Sequence, residues 1–441
     1  MSASTVAGWG RTRPSLAHLR RVTSPDDVAA AFAGGERFIA RGLGRSYGDP
    51  AQLSGGLVLD ARGLDEVAAI GDDGLVRVGG GVSFDQLLGQ CVPRGWFVPV
   101  TPGTRQVTMG GAFAADVHGK NHHRDGSFAA HVREVRLATA QGERVLTPDG
   151  EPRLFWASAG ALGLTGVVTS LTLQLAPIET DQLLVDTERY SDLDAVMAEM
   201  VEGDYRYHYS VAWVDCVTPG GRAILTRGRH ARADEVDDPT LVAPRSGALS
   251  VPFVAPRGLL NRYSVRAFNE LWFRAAPRRE VARPHSLGAF FHPLDGVANW
   301  NRLYGPRGFV QYQFCVPDES ADTVREVIAR LSASGVASFL AVLKRFGPAS
   351  GAPLSFPLAG WTLALDLPLG AGPLAGLLDE LDELVAGAGG RVYLAKDARL
   401  APERLRQMYP RLEEFLEVKR ELDPRGQLTS DLARRLEIVG R

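Results

Sequence analysis

The chain has 441 residues, 45% of them hydrophobic and 23% charged, with a formal net charge of −2. That is the composition of a folded globular protein of two or three domains, and the charge excludes a global field that would recruit nucleic acid or an anionic membrane. Three widely spaced cysteines, Cys91, Cys216 and Cys315, offer neither a disulfide framework nor a zinc pattern and read as small buried hydrophobes.

The opening "MSASTVAGWGRTRPSLAHL" has no apolar core of the signal-peptide kind. No window approaches the roughly 20 apolar residues of a spanning helix. A soluble or peripheral protein is expected, on the cytoplasmic face of a membrane or in the periplasm. "ERFIA" and "LVLD" then read as strands on either side of a long turn-rich loop. "LVRVGGGVSFDQLLGQC" reads as strand, tight turn and helix, with Ser83 and Gln86 at capping-box spacing. "HVREVRLATAQGERVLTP" predicts a hairpin turning at Gln141-Gly142, and "GLTGVVTSLTLQLAP" a pair of β-branched strands. Near residue 180 the style changes, and "YHYSVAWVD" and "RAILTRG" alternate as sheet strands. Residues 228–262 are rich in Pro, Gly and Ala and read as a mobile excursion. After residue 308, "FVQYQFCVP", "SADTVREVIARLSAS", "ASFLAVLKRF", "GWTLALDLPL", "PLAGLLDELDELVAGAGG" and "RVYLAK" give β-α-β-β-α-β, the split ferredoxin-like unit. The tail is helical. The fold class predicted is α+β.

Three glycine-rich loops carry the first functional signal. "RGLGRSYGD" spaces Gly42, Gly44 and Gly48 as G-x-G-x-x-x-G, but a strand rather than a helix follows, so the frame is not a Rossmann one. "PGTRQVTMGGAF" places Gly103, Gly110 and Gly111 where backbone can approach a ligand, and Thr108 caps a helix starting near Met109. Ala112, Ala114 and Ala115 keep that helix thin, and "GALGLTG" is a third loop of the same kind. Together they predict a dinucleotide lying across a non-Rossmann scaffold. His118, His122 and His123 are interrupted by Gly119 and Lys120 and lack a completing carboxylate or cysteine, so no metal is expected. Gln311 and Gln313, two apart on a strand, share one face and suit sugar hydroxyls, or equally a polar outer sheet face. Lys344 and Lys396, taken alone, read as solvated lysines.

The strings "ARGLGRSYGD", "PGTRQVTMGGAFAADVHGKNHH", "FWASAGALGLTG", "HPLDGVANWNRLYGPRGFVQYQF", "LKRFGP", "PLSFPLAGW", "YLAKD" and "LTSDLARRLE" run in order over nearly the whole chain. In them the chain resembles the flavin oxidoreductases of the vanillyl-alcohol oxidase superfamily and, within it, the decaprenylphosphoryl-β-D-ribose oxidase family of arabinan biosynthesis. The resemblance implies a two-domain fold, with an FAD-binding domain made of residues 1–179 and 391–441 around an antiparallel-sheet substrate domain of residues 180–390. It implies FAD held by Arg41, Gly42, Gly44, Arg45, Ser46, Tyr47 and Gly48 from the first loop, and by Pro102, Gly103, Thr104, Thr108, Gly110 and Gly111 from the second. Ala114, His118, Gly119 and Asn121 follow on, then Gly163, Gly166 and Val167 from the third loop, and Tyr393. Arg45 stands where some superfamily members carry a flavin-linked histidine, which implies non-covalent FAD.

The implied reaction oxidises the ribosyl C2 hydroxyl of a polyprenylphosphoryl ribose to a ketone, with Lys396, Tyr47 and His118 as catalytic residues. Lys120, Phe291, Gln311, Gln313, Lys344, Thr362, Ala364 and Lys396 are the implied substrate residues. Some members carry Asn and Cys where this chain has Thr362 and Ala364, so a cysteine-directed inhibitor is expected to form no adduct here. The implied partners are an NAD-dependent reductase that completes the epimerisation, a quinone or oxygen as electron acceptor, and a peripheral membrane contact through residues 228–262 acting as a lid. The alternatives are a sugar, alditol or lactone oxidase of the same superfamily, and a non-catalytic lipid-phosphate-binding protein.

Overall fold

The computed structural model describes residues 3–245, 247, 249–370 and 374–438. Two positions of the 228–262 excursion, 246 and 248, lie outside the described residues. The fold is mixed α+β, built around three large sheets. Among the described residues no helix is long and apolar enough to cross a membrane.

The first sheet pairs Ala3–Val6 antiparallel with Ser15–Arg21, and then Ser15–Arg21, Leu57–Asp60 and Phe38–Arg41 in parallel. Parallel neighbours need a crossover of a dozen or more residues. Residues 42–56 are that crossover, so the first glycine loop is followed by a strand because it is itself the sheet connection. The second sheet is antiparallel, in the order Leu75–Gly79, Val167–Gln174, Val132–Thr139, Gly142–Leu146. Its last two strands form the expected hairpin, with the turn one residue earlier than expected, at Ala140-Gln141. The helix Phe84–Cys91 is closed by the expected box: Gln86 N–H donates to Ser83 Oγ at 3.2 Å and Ser83 N–H to Gln86 Oε1 at 2.8 Å.

The third sheet has eight antiparallel strands, in the order Arg279–Ser286, Gln182–Tyr190, Ala223–His230, Tyr209–Val214, Ala341–Phe346, Gly360–Pro368, Phe309–Pro317, Arg391–Val392. The period of two along Phe309–Pro317 sorts its side chains. Val310, Tyr312, Phe314 and Val316 join a core with Val324, Val327, Ile328 and Leu331 of the helix Asp322–Ser334, and with Leu377, Leu378, Leu381 and Val385 of the helix Leu374–Gly387. Gln311 and Gln313 point the other way, into a cavity.

Two expectations are corrected. "RVYLAK" is not a strand through to its lysine: only Arg391–Val392 pairs. Tyr393 N–H still reaches Gln313 O, but Lys396 N–H and Asp397 N–H both turn back onto Tyr393 O at 2.9 and 3.0 Å, which puts Lys396 in a turn. The chain also forms a 14-residue helix, Arg262–Ala275, where the sequence reading placed no element.

The C-terminal tail returns to the first sheet. Phe38 N–H donates to Gln427 O at 2.8 Å and Thr429 N–H to Phe38 O at 3.0 Å. Lys419 is buried, and its three donors meet three acceptors, Asp423 Oδ2, Leu164 O and Leu428 O, within 3.0 Å. Arg435 bridges Asp49 and Asp397 at 2.8 and 2.9 Å.

Candidate functional site

One cavity of about 1050 Å³ gathers residues from all three sheets and their connections. It slightly exceeds the roughly 300–1,000 Å³ of an ordinary small-ligand site.

Its first half is made of backbone. Arg41, Gly42, Gly44, Arg45, Ser46 and Tyr47 line it. Gly48 does not: a Cβ there would meet Asp397 O at 1.7 Å, so this glycine serves a close approach to the tail. Gly44 has φ +64, and a Cβ on it would strike the Arg41 guanidinium, which is fixed by bonds to Ala7 O and Ala51 O at 2.7 and 3.0 Å. The second loop contributes Pro102, Gly103, Thr104, Thr108, Gly110 and Gly111. Thr108 Oγ1 caps the helix Met109–Ala114 by accepting from Gly111 N–H at 3.3 Å, as expected, although the helix is only six residues long. A Cβ on Gly42 would lie 2.2 Å from Thr108 Oγ1, and one on Gly110 would lie 2.9 Å from Gly80 O, so the loops touch through their missing side chains. Ala114, His118 and Gly119 continue the wall, with Gly163, Gly166 and Val167 of the third loop opposite. Asn121 lies outside the lining, where its Nδ2 donates to Pro99 O at 2.8 Å and braces the turn below Gly119.

The second half is made of side chains. Lys120, Phe291, Gln311, Gln313, Lys344, Ala364, Tyr393 and Lys396 all reach it. Thr362 does not; it sits behind Gln313, accepting from Gln313 Nε2 at 3.3 Å and donating to Phe314 O at 2.8 Å. Lys120 lies over the Phe290 ring and donates to Phe290 O. Lys396 Nζ lies 3.9 Å from the centre of the Tyr47 ring. Tyr393 donates to Ala115 O at 2.9 Å and stacks on Phe356.

The sequence reading missed Asp366, which is wholly buried. It faces Gln311 in register and accepts from Gln311 Nε2 at 2.5 Å and from the Tyr304 hydroxyl at 3.4 Å. The available signal was an acid two and four positions beyond Ala364 and Thr362 on an otherwise apolar strand. Trp9, Phe268, Trp272, His285 and Trp300 also line the cavity without having been singled out.

Burial sets the electrostatics. It pushes the Lys120 and Lys344 ammonium groups down to about 7. It also lowers Lys396, against the opposing pull of Asp366, whose own carboxyl burial raises. Burial, then Lys344, hold His118 neutral. The neutral ring has one donor and one acceptor. Gln313 Nε2 lies 3.0 Å from His118 Nε2 and, donating to it, leaves the proton on Nδ1, 3.3 Å from Lys344 Nζ. That arrangement requires an uncharged Lys344; a charged one requires the other tautomer and a turned Gln313 amide. Three lysines against one carboxylate make this half a site for an anion, since buried charge demands a partner. The other histidines of the cluster face backbone: His122 Nδ1 accepts from Gly347 N–H, and His123 Nε2 lies 3.1 Å from Tyr207 O. The three cysteines are buried away from the cavity, and burial pushes Cys91 and Cys315 up to about 12.

The chain matches known protein families and individual relatives. The FAD binding domain family matches residues 17–147, and the D-arabinono-1,4-lactone oxidase family matches residues 373–436. The chain is 44% identical to decaprenylphosphoryl-beta-D-ribose oxidase of Mycolicibacterium smegmatis, across 98% of this chain and 97% of that protein. The chain belongs to the decaprenylphosphoryl-β-D-ribose oxidase family. It is also 30% identical to an alditol oxidase of a Streptomyces species, across 82% of this chain and 80% of that one. A further relative at 25% identity, over 93% and 92% of the two chains, is L-gulono-1,4-lactone dehydrogenase of Mycobacterium tuberculosis. As a family member the protein is an FAD-dependent oxidoreductase of the vanillyl-alcohol oxidase superfamily. The cavity fits that cofactor, because its first half is a cradle of glycine backbone from three loops that a set of Cβ atoms would fill or distort.

Proposed function

We propose that this oxidase acts on decaprenylphosphoryl-β-D-ribose, converting the ribosyl C2 hydroxyl to a ketone as the first half of an epimerisation to the arabinose isomer for cell-wall arabinan. The observation that carries the reading is the convergence of Lys120, Lys344 and Lys396 with Gln311 and Gln313 beside the glycine cradle. A phosphosugar needs cations for its phosphodiester and amides for its hydroxyls. A free sugar needs only the second.

FAD, when bound, supplies the two-electron acceptor. In this reading Arg41, Ser46, Gly103, Thr104, Gly110 and Gly163 are among the residues that hold it, without a covalent tether. In support, Arg45 lies 4.1 Å over the Trp9 ring, and no cysteine lines the cavity. Lys120 and Lys344 bind the phosphate, and the anion draws both back toward the charged form. Gln311, held by Asp366, and Gln313, held by Thr362, orient the sugar. Lys396 takes the hydroxyl proton: burial brings its ammonium toward neutral pH, and the Tyr47 ring fixes the direction of Nζ. His118, neutral and wedged between Gln313 and Lys344, positions both.

The same reading joins residues 1–179 and 391–441 as the FAD-binding domain, supported by the Phe38 and Asp49 contacts of the tail. It takes residues 180–390 as the substrate domain. The strand order from Ala341–Phe346 to Arg391–Val392, with two helices sharing one core, supports a ferredoxin-like unit in it. The part of the 228–262 excursion that follows the strand Ala223–His230 acts as a lid, supported by Gly247 in the cavity lining and by Leu249–Ser250 pairing with Val297–Ala298 beside it. An NAD-dependent reductase returns hydride to the ketone, and a quinone or oxygen reoxidises the enzyme.

Anaerobic titration tests the reading. Polyprenylphosphoryl ribose is expected to bleach the flavin band, and free ribose and alditols are not. Bleaching by alditols or lactones instead would move the enzyme to the alditol or lactone oxidases it also resembles.

A further inference from the structure

Among the described residues fifteen large hydrophobic side chains are exposed, and nine of them fall within residues 249–281. They include Phe253 at 69%, Tyr263 at 82% and Leu271 at 70% exposure. A monomer rarely shows so concentrated an apolar surface without a use for it. The helix Arg262–Ala275 within it is firmly attached. Val265 and Asn269 of the helix Arg262–Ala275 are buried, and Asn269 Nδ2 donates to the buried Asp215 carboxylate at 2.7 Å. Arg222 pairs with Glu270 at 2.7 Å and lies over the Phe273 ring. The inner face is therefore clamped to the protein, while the outer face is aromatic and open.

The charge of the same segment is one-sided. Residues 249–281 hold six arginines, two glutamates, no lysine and no aspartate, a net +4 in a chain whose total is −2. Arg257, Arg262, Arg266, Arg278 and Arg279 are exposed and make no ion pair among the described residues. Arginines around exposed aromatic and aliphatic side chains, on a helix too short and too charged to span, are the signature of an element lying in a bilayer interface. A second copy of this chain does not suit the face, because a symmetric contact would set two +4 patches against each other. The helix also adjoins the cavity: Phe268 and Trp272 line it, with their rings stacked 6.1 Å apart.

We propose that residues 249–281, centred on the helix Arg262–Ala275, form a docking surface for an anionic lipid bilayer that sets the substrate mouth against the membrane. The inference deepens the lipid-phosphosugar reading, since a polyprenyl tail would pass from the bilayer into the cavity along Phe268 and Trp272 without crossing water. It also narrows the contact to the helix that follows the 228–262 excursion.

The test uses the FAD-loaded full chain and two vesicle compositions, pure phosphatidylcholine and a two-to-one mixture with phosphatidylglycerol. Co-sedimentation is expected to be roughly tenfold stronger on the anionic vesicles, as the loss of a few arginine contacts would imply. Tyr263→Glu with Leu271→Glu, on side chains outside the cavity, is expected to weaken that binding about tenfold while flavin content and reduction by a short-chain, water-soluble phosphosugar stay unchanged. Arg278→Ser with Arg279→Ser is expected to remove most of the anionic preference, and it carries the test if the glutamate variant loses flavin. Equal partition onto both vesicles, or none onto either, overturns the proposal. So does a solution dimer that the glutamate variant breaks. Vesicle binding is read without turnover, so a failure of the phosphosugar assignment would appear separately, as a flavin that no polyprenylphosphoryl ribose reduces.

Discussion

The two halves of the cavity are built by opposite means. The cofactor half works by subtraction: Gly42, Gly110 and Gly163 leave room, and backbone forms the wall. The substrate half works by addition, with Lys120, Lys344 and Lys396 brought from three distant parts of the chain into one buried space. Defects should therefore differ in kind, with flavin lost from the first half and catalysis or affinity lost from the second.

The largest effect is expected at Gly42. A Cβ there would sit 2.2 Å from Thr108 Oγ1, the cap of the helix Met109–Ala114. Gly42→Ala should cut the flavin-to-protein absorbance ratio by at least about tenfold, because either the loop or the cap must move. Thr108→Ala alone costs a cap, about 1 kcal/mol, and should keep flavin. The double variant should recover much of the flavin, since the second substitution removes the atom the first one strikes. Failure of that recovery would mean the loop is not a cradle shaped by side-chain absence.

Lys396→Ala should keep flavin and slow its reduction by substrate about 10³-fold, within the usual range for a lost general base. Unchanged stopped-flow reduction would remove Lys396 from the chemistry and leave the second half as a binding site only.

Lys344→Met should act on affinity and on stability in opposite directions. The buried Lys344 ammonium sits at about 7, against roughly 10.4 in an unfolded chain. Between those values the unfolded state binds the extra proton, so wild-type stability should rise with pH across this window. Methionine removes that dependence and should stabilise the ligand-free protein by a few kcal/mol near pH 7, read as a higher Tm. It should also raise KM for the phosphosugar roughly tenfold to a hundredfold. In the wild type, KM for the phosphosugar should climb as pH rises above about 7, while KM for any uncharged sugar stays flat.

The contrast between the halves also explains what was legible in the sequence. Glycine spacing is a local signal, so the three loops, the Ser83–Gln86 box and the Thr108 cap could be read residue by residue. Gln311 and Gln313 followed from the strand period. Asp366 could not be placed beside Gln311 without the register of two strands 55 positions apart. Lys396 read as a strand end because nothing local says that Tyr393 O accepts from two later amides. The helix Arg262–Ala275 escaped because Tyr263, Phe268, Leu271 and Trp272 are exposed on it, which breaks the rule that apolar periodicity marks a buried face. Gly48 and Asn121, read as cofactor residues, instead lie outside the lining, against the tail and under a turn.

The smallest expected effect lies behind the substrate half, at Thr362. Its hydroxyl accepts from Gln313 Nε2 and so keeps the amide nitrogen turned toward His118 Nε2. That orientation leaves the His118 proton facing Lys344 and favours the uncharged lysine. Thr362→Val deletes the acceptor while nearly preserving shape. The amide should then turn more readily, present its oxygen to His118, and let the ring accept from a charged Lys344. One lost hydrogen bond is worth about 1 kcal/mol, so the pH at which KM begins to rise should move upward by about half a unit to one unit. Flavin content should not change. A fall in kcat with no movement of the pH profile would break the chain from Thr362 through Gln313 and His118 to Lys344, leaving Thr362 as packing alone.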